Sequence, residues 1–249
     1  MKLVIYTALF ADESLPIAEV GRFFPFTHEK DNVKYIAFTN RKDLKSDFWE
    51  VRQVEVKEDY SFRMMSRFHK WKPDRINLPE HTHSLWMDSQ CYFKFEPKAI
   101  IKHYLSDKYH TAIHHHTDLV SAYVEGMVTS YVYHNDKPEI VNRQLEKYYS
   151  NGFPYNYDHY ETGIIIRKNS KEAYELSADV FTELELHSIR DQLSTPYVIW
   201  SRRKDGDEGI LTIKESFTAH KGQNPLPKST IFFTEPKPSK ELKEDLTKR

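Results

Sequence analysis

The sequence predicts an α/β fold, three layers around a mostly parallel sheet. Three observations predict it. Short apolar runs alternate with stretches of helical spacing from the N-terminus onward. The 249-residue chain is 39% hydrophobic, enough for a full core without disulfide staples. Polar side chains follow directly on several apolar runs, at strand ends where open α/β sheets gather ligands.

Taken in order, residues 3–10 read as a buried strand, with Asp12, Glu13 and Ser14 in the loop behind it. Residues 15–24 read as a helix, and residues 33–38 as a second strand ending at Asn40. This β-α-β order implies parallel strands. Residues 49–56 alternate apolar and polar positions and give a third strand. Residues 62–71 lack Gly and Pro and form a helix that Pro73 stops. Ser84-Leu85-Trp86-Met87 is a fourth strand running into Asp88-Ser89-Gln90. Residues 99–105 are helical, and residues 111–113 form a strand ending in His114-His115-His116. Residues 119–133 and 137–150 read as two helices split by Asn135 and Pro138. An Ile-rich strand over 162–167 and a helix over 170–185 follow. A short helix opens at Arg190-Asp191-Gln192 and is expected to stop near Pro196. Prolines 225, 227, 236 and 238 mark an extended tail, so the expected division is a domain over 1–222 and a tail over 223–249.

Composition narrows the function. Lys plus Arg is 36 against 37 Asp plus Glu, a balance that argues against a dedicated nucleic-acid protein. Cys91, the single cysteine, excludes a disulfide framework and a Cys-based zinc site. The 7 glycines form neither of the two common nucleotide-binding loops. The surplus lies in 16 Tyr, 13 His and 4 Trp, whose apolar faces and polar rims suit a ring-shaped polar ligand or an ordinary core. No run reaches the roughly 18 apolar residues of a membrane span. The N-terminal apolar run is too short for a signal peptide, so a cytoplasmic location is expected.

Several residues could carry chemistry. Asp88 and Gln90 follow the fourth strand and could present oxygen ligands to a hard divalent cation, or Asp88 could cap a turn. Arg63, Arg67 and Lys70 recur at spacings of four and three and share one helix face. That face suits a diphosphate, though a solvated face has the same pattern. Adjacent strand residues point to opposite sides, so His114-His115-His116 cannot all reach one metal, and His116 is the member expected to face a site. His220 could reach over as a late metal or phosphate contact, or be an ordinary surface histidine. Asp191 could cap its helix or meet a substrate hydroxyl as base or sugar anchor. Acceptor contacts are expected over residues 151–160, which carry Tyr155, Tyr157 and Tyr160.

In this order, these residues resemble the glycosyltransferase-like family first catalogued as a domain of unknown function. Its plant members are tied to cell-wall mucilage and to a ceramidase label. The resemblance rests on Tyr6-Thr7-Ala8-Leu9-Phe10, Phe38-Thr39-Asn40, Trp49-Glu50-Val51, Ser66-Arg67-Phe68-His69-Lys70 and Ser84-Leu85-Trp86-Met87-Asp88-Ser89. It continues through His116 with Tyr123 and Glu125, then Thr162-Gly163-Ile164-Ile165-Ile166-Arg167, and Arg190-Asp191-Gln192-Leu193-Ser194 with Pro196-Tyr197-Val198. It covers roughly residues 1–203 and departs from the family pattern at Ala11 and Gln90.

The resemblance implies a GT-A-like three-layer sandwich around a mostly parallel sheet, binding a nucleotide-diphosphate sugar. Thr7, Ala8 and Asn40 would then meet the nucleotide, and Arg63, Arg67 and Lys70 the diphosphate. Asp88, Gln90 and His220 would hold Mn2+ or Mg2+. Asp191 would contact the sugar or act as base, while His116, Glu125, Thr162, Gly163 and Gln192 would line the sugar and acceptor pocket. UDP is the first choice of carrier, with GDP open, and the acceptor is a carbohydrate or other hydroxyl. The alternatives are an inactive nucleotide-sugar-binding protein and a metal-dependent hydrolase.

Overall fold

The computed structural model describes residues 1–16, 32–89, 91–93, 97–116, 121–214 and 232–234. The helix expected over 15–24 falls almost wholly outside them. Among them, seven strands form one sheet in the order β3-β2-β1-β4-β7-β6-β8. These are β1 (Leu3–Leu9), β2 (Val33–Thr39), β3 (Glu50–Gln53), β4 (His83–Met87), β6 (Thr111–His115), β7 (Tyr160–Lys168) and β8 (Ile210–Ile213). The β1, β2, β3 and β4 pairings are parallel, β7 runs antiparallel to β4 and β6, and β8 is parallel to β6. The sheet is therefore mostly parallel with one reversed strand, and the chain has the α/β sandwich expected of it.

β1 is buried along its whole length, the pattern of a strand covered on both faces. Its side chains alternate between two cores. Leu3, Ile5 and Leu9 pack with Ile100 and Ile101 of the helix α2 (Pro97–Tyr104). Val4, Tyr6 and Ala8 pack on the other face with Met65, Trp71, Val180 and Ile199. Those last residues belong to α1 (Phe62–Trp71), α5 (Lys171–Leu186) and α6 (Asp191–Lys204). Two further helices, α3 (Ala122–Met127) and α4 (Pro138–Ser150), pack with α6 in a third cluster that includes Ala122, Tyr123, Tyr148 and Tyr197.

Four elements differ from the sequence reading. α6 does not stop at Pro196 but runs through it to Lys204. The hydrogen bond that Pro196 forgoes lies near the helix start, and burial of Pro196, Val198 and Ile199 offsets it. The helix expected over 119–133 is shorter. Past Met127 the backbone widens into a π turn, where Tyr133 N donates to Val128 O at 2.9 Å. β8 has no counterpart among the elements expected from sequence. Finally, β9 (Phe232–Thr234) pairs antiparallel with β5 (Cys91–Phe93), inside the stretch read as an extended tail.

Candidate active site

α1 begins at Ser61, whose hydroxyl accepts from Met64 N and satisfies one of the open amides of the first turn. The helix buries Met65 and Trp71, so its spacing brings Arg63, Arg67 and Lys70 together on another side. A solvated face does not describe that side. Lys70 is completely buried. Its Nζ lies 2.6 Å from Asp191 Oδ2, and Arg67 Nη2 lies 3.2 Å from Asp191 Oδ1. Trp71 Nε1 also donates to Asp191 Oδ2, at 3.1 Å. Asp191 is the first residue of α6 and is itself 1% exposed. Burial alone would raise its pKa. Arg67 and Lys70 overcome that and hold the carboxyl well below the ordinary carboxylate range. The fold thus joins α1 to the start of α6 through one buried anion and two cations.

The end of β4 meets the same cluster. Asp88 N donates to Gly163 O of β7 at 2.8 Å, which seats the strand end. Trp86 Nε1 donates to Asp88 Oδ1 at 3.0 Å, and Lys70 Nζ lies 3.7 Å from that oxygen. The Asp88 side chain remains 33% exposed. Its two companions in the expected metal set, Gln90 and His220, lie outside the described residues. Among the described residues no three His, Cys, Asp or Glu side chains converge on one point. A phosphate-bound Mg2+ or Mn2+ commonly takes one or two carboxylates and fills its shell with water and phosphate oxygens. A single accessible carboxylate at an open strand end fits that need.

A second buried pair flanks the first. Glu125 of α3 is 1% exposed and accepts from Arg190 Nε at 2.6 Å and from Thr129 Oγ1 at 3.0 Å. His159 Nε2 lies 3.7 Å from its other oxygen, and the His116 ring packs on the His159 ring at 5.1 Å. Burial would raise the Glu125 pKa, but His159 and Arg190 bring it down to about 2 from 4.5. Arg190 is thereby fixed beside Asp191. Arg63 completes the group and donates to Asn135 O at 3.0 Å. Among the described residues it has no carboxylate within ion-pair distance. Burial first, then the nearby Arg67 and Arg190, depress its pKa against the opposing pull of Asp191 and Asp136.

The depressed Glu125 value gives a pH signature. The folded pKa is below the unfolded one, so the pair's stabilisation is complete above about pH 4.5 and is lost as pH falls toward 2. About two and a half pKa units correspond to roughly 3 kcal/mol. Urea unfolding at pH 7, 4 and 3 should show Glu125→Gln less stable at pH 7, with the gap to the unmodified protein closing in acid. A gap independent of pH would remove Glu125 from the titrating set.

The other expected site residues are placed as follows. Thr7 and Ala8 are buried within β1. The Asn40 side chain accepts from Ala11 N and donates to Ala11 O, which fastens two loops together. Thr162 and Gly163 are buried in β7 beside the end of β4, and Gln192 is half-buried one residue past Asp191. His116 reaches Glu125 through His159. Sequence reasoning missed His159, Trp71 and Arg167. Arg167 is wholly buried and donates to Lys70 O, Tyr6 OH and Ser177 Oγ. Its signal was a charged residue closing an otherwise apolar strand. A cavity of about 610 Å3, lined by Phe38, Arg52, Met65, Phe68 and His69 among others, opens on the side of α1 turned away from Arg63 and Lys70. No residue of the charged cluster lines it.

Comparison with curated proteins finds no match. A family model does match, over most of the chain and over all of the charged cluster. That model is described as TOD1/MUCI70, glycosyltransferase-like domain; it matches residues 23–216, and the chain belongs to this family.

Proposed function

We propose that the protein transfers a sugar from a nucleotide diphosphate, UDP first, to a hydroxyl acceptor, with a divalent ion at Asp88. The observation that carries this reading is Arg63, a half-buried arginine with no carboxylate at ion-pair distance among the described residues, next to Arg67 and Arg190. Guanidinium groups grip phosphate oxygens in pairs, and a diphosphate supplies the missing negative charge. In this reading the same cations would neutralise the charge that grows on the diphosphate as it leaves.

Asp191 takes a different part from the one expected of it. A carboxylate held so firmly ionised is a poor proton acceptor, and at 1% exposure it is closed to an acceptor. Its work in this reading is to fix the positions of Arg67, Lys70 and the Trp71 indole. Glu125 does the same for Arg190. Asp88 would hold Mn2+ or Mg2+, with Gln90 and His220 as the companions expected from sequence. The ion, when bound, adds Lewis-acid neutralisation of the diphosphate. Lys70 Nζ, 3.7 Å from Asp88, supports a second reading in which built-in cations alone neutralise the leaving group.

Release of UDP from a panel of UDP-sugars, with Mn2+, with Mg2+ and with EDTA, tests both. Metal-dependent release that Asp88→Ala lowers about 100-fold or more supports the first reading. Release indifferent to EDTA and to Asp88→Ala supports the second. Binding of the UDP-sugars without release would make the chain an inactive sugar-nucleotide binder. No binding and no release with any UDP- or GDP-sugar contradicts a transferase.

A further inference from the structure

The large exposed apolar side chains are unevenly spread. Met127, Tyr131, Val132 and Tyr133 are each more than half exposed and fall within seven residues. Glu125 and Thr129, four apart, face inward and bond to each other. Met127 and Tyr131, also four apart, face outward on the same stretch. Tyr123, four residues before Met127, carries Tyr155 stacked on it at 5.0 Å and 21°. Tyr155 is 60% exposed.

These rings are exposed yet held. Tyr131 OH accepts from Asn142 Nδ2 at 3.1 Å. Tyr123 OH donates to Phe153 O at 3.0 Å, which anchors the ring beneath Tyr155. By contrast, Tyr157 and Tyr160 accept from Arg203 and belong to the framework. The ribbon also leads somewhere. It passes along the π turn, through His134 in the left-handed region (φ 49°), to Asn135, whose carbonyl accepts from Arg63. From residue 123 to 131 it runs about 12 Å at a helical rise, room for more than one sugar ring.

We propose that the Tyr155–Met127–Tyr131 ribbon, continued by Tyr133, is the track for an extended carbohydrate acceptor, which it feeds toward the Arg63 cluster. A tyrosine offers a ring face for the C–H face of a sugar and a hydroxyl for its rim. Met127 supplies an adaptable apolar contact between the rings. The proposal rests on the transferase reading and names that reading's acceptor class.

The test uses the full chain and immobilised cellohexaose, maltohexaose, xylohexaose, chitohexaose and hyaluronan hexasaccharide. At least one is expected to retain the protein. Retention should fall about tenfold in the Tyr131→Ala/Tyr155→Ala double variant and persist in Tyr131→Phe/Tyr155→Phe. Both side chains lie on the surface, and matched thermal unfolding of the variants checks folding. Retention by none of the five, equal retention by the double Ala variant, or a dimer that Tyr131→Ala dissolves would overturn the proposal. UDP release by the unmodified protein, measured alongside, reads the donor side separately. UDP release without glycan retention overturns the track alone. Glycan retention without release or donor binding overturns the transferase and leaves a sugar-binding surface that is not an acceptor track.

Discussion

Asp191→Asn is expected to cost about 3–5 kcal/mol of folding stability and to abolish UDP release. The change is one atom in size, so packing is preserved. What is lost is the nearer carboxylate balancing Lys70 Nζ, at 2.6 Å against 3.7 Å for Asp88, together with the ion pair that orders Arg67. A buried ammonium without its carboxylate carries the full desolvation penalty. Trp71 Nε1 keeps an acceptor but loses a charged one. Adding Lys70→Met to Asp191→Asn removes the orphaned cation and should restore part of the stability, though no activity. A double-mutant cycle on urea midpoints measures the coupling. A loss below about 1 kcal/mol for Asp191→Asn would mean that the pair does not organise the site.

Arg63→Ala is expected to do the opposite. It should weaken diphosphate binding about 10- to 100-fold, the value of one or two charge-assisted hydrogen bonds. Stability should move by less than about 1 kcal/mol. Among the described residues Arg63 donates to one backbone acceptor, Asn135 O, and its removal relieves repulsion with Arg67 and Arg190. In the proposed reading, stability and affinity would therefore separate along one helix, with Lys70 at its C-terminal end as structural charge and Arg63 at its start as charge for the diphosphate.

The sheet was legible where burial leaves long apolar runs. β1, β2, β4 and β7 are such runs, and they dictate the order of the centre. β8 was not, because Ile210–Ile213 is four residues at an edge with half its side chains in partial contact with solvent. Pro196 misled because a local rule was read without the packing that overrides it. At the site, the spacing of Arg63, Arg67 and Lys70 was visible, and so was Asp191. Their meeting was not, since it joins positions more than 120 apart in the chain through the sheet. The burial of Lys70 could not be read from its neighbours, because a lysine on a helix is solvated unless a distant carboxylate covers it. His159 had no local signal. It is a lone histidine before a strand, and only α3 packing brings Glu125 to it.

Calorimetric titration of the unmodified protein with UDP and with uridine, each with and without Mn2+, asks directly whether the Arg63, Arg67 and Arg190 cluster holds a diphosphate. UDP is expected to bind at least about tenfold tighter than uridine, and Arg63→Ala should erase most of that difference. Equal affinities for UDP and uridine, or a UDP affinity untouched by Arg63→Ala, would show that the cluster binds no diphosphate.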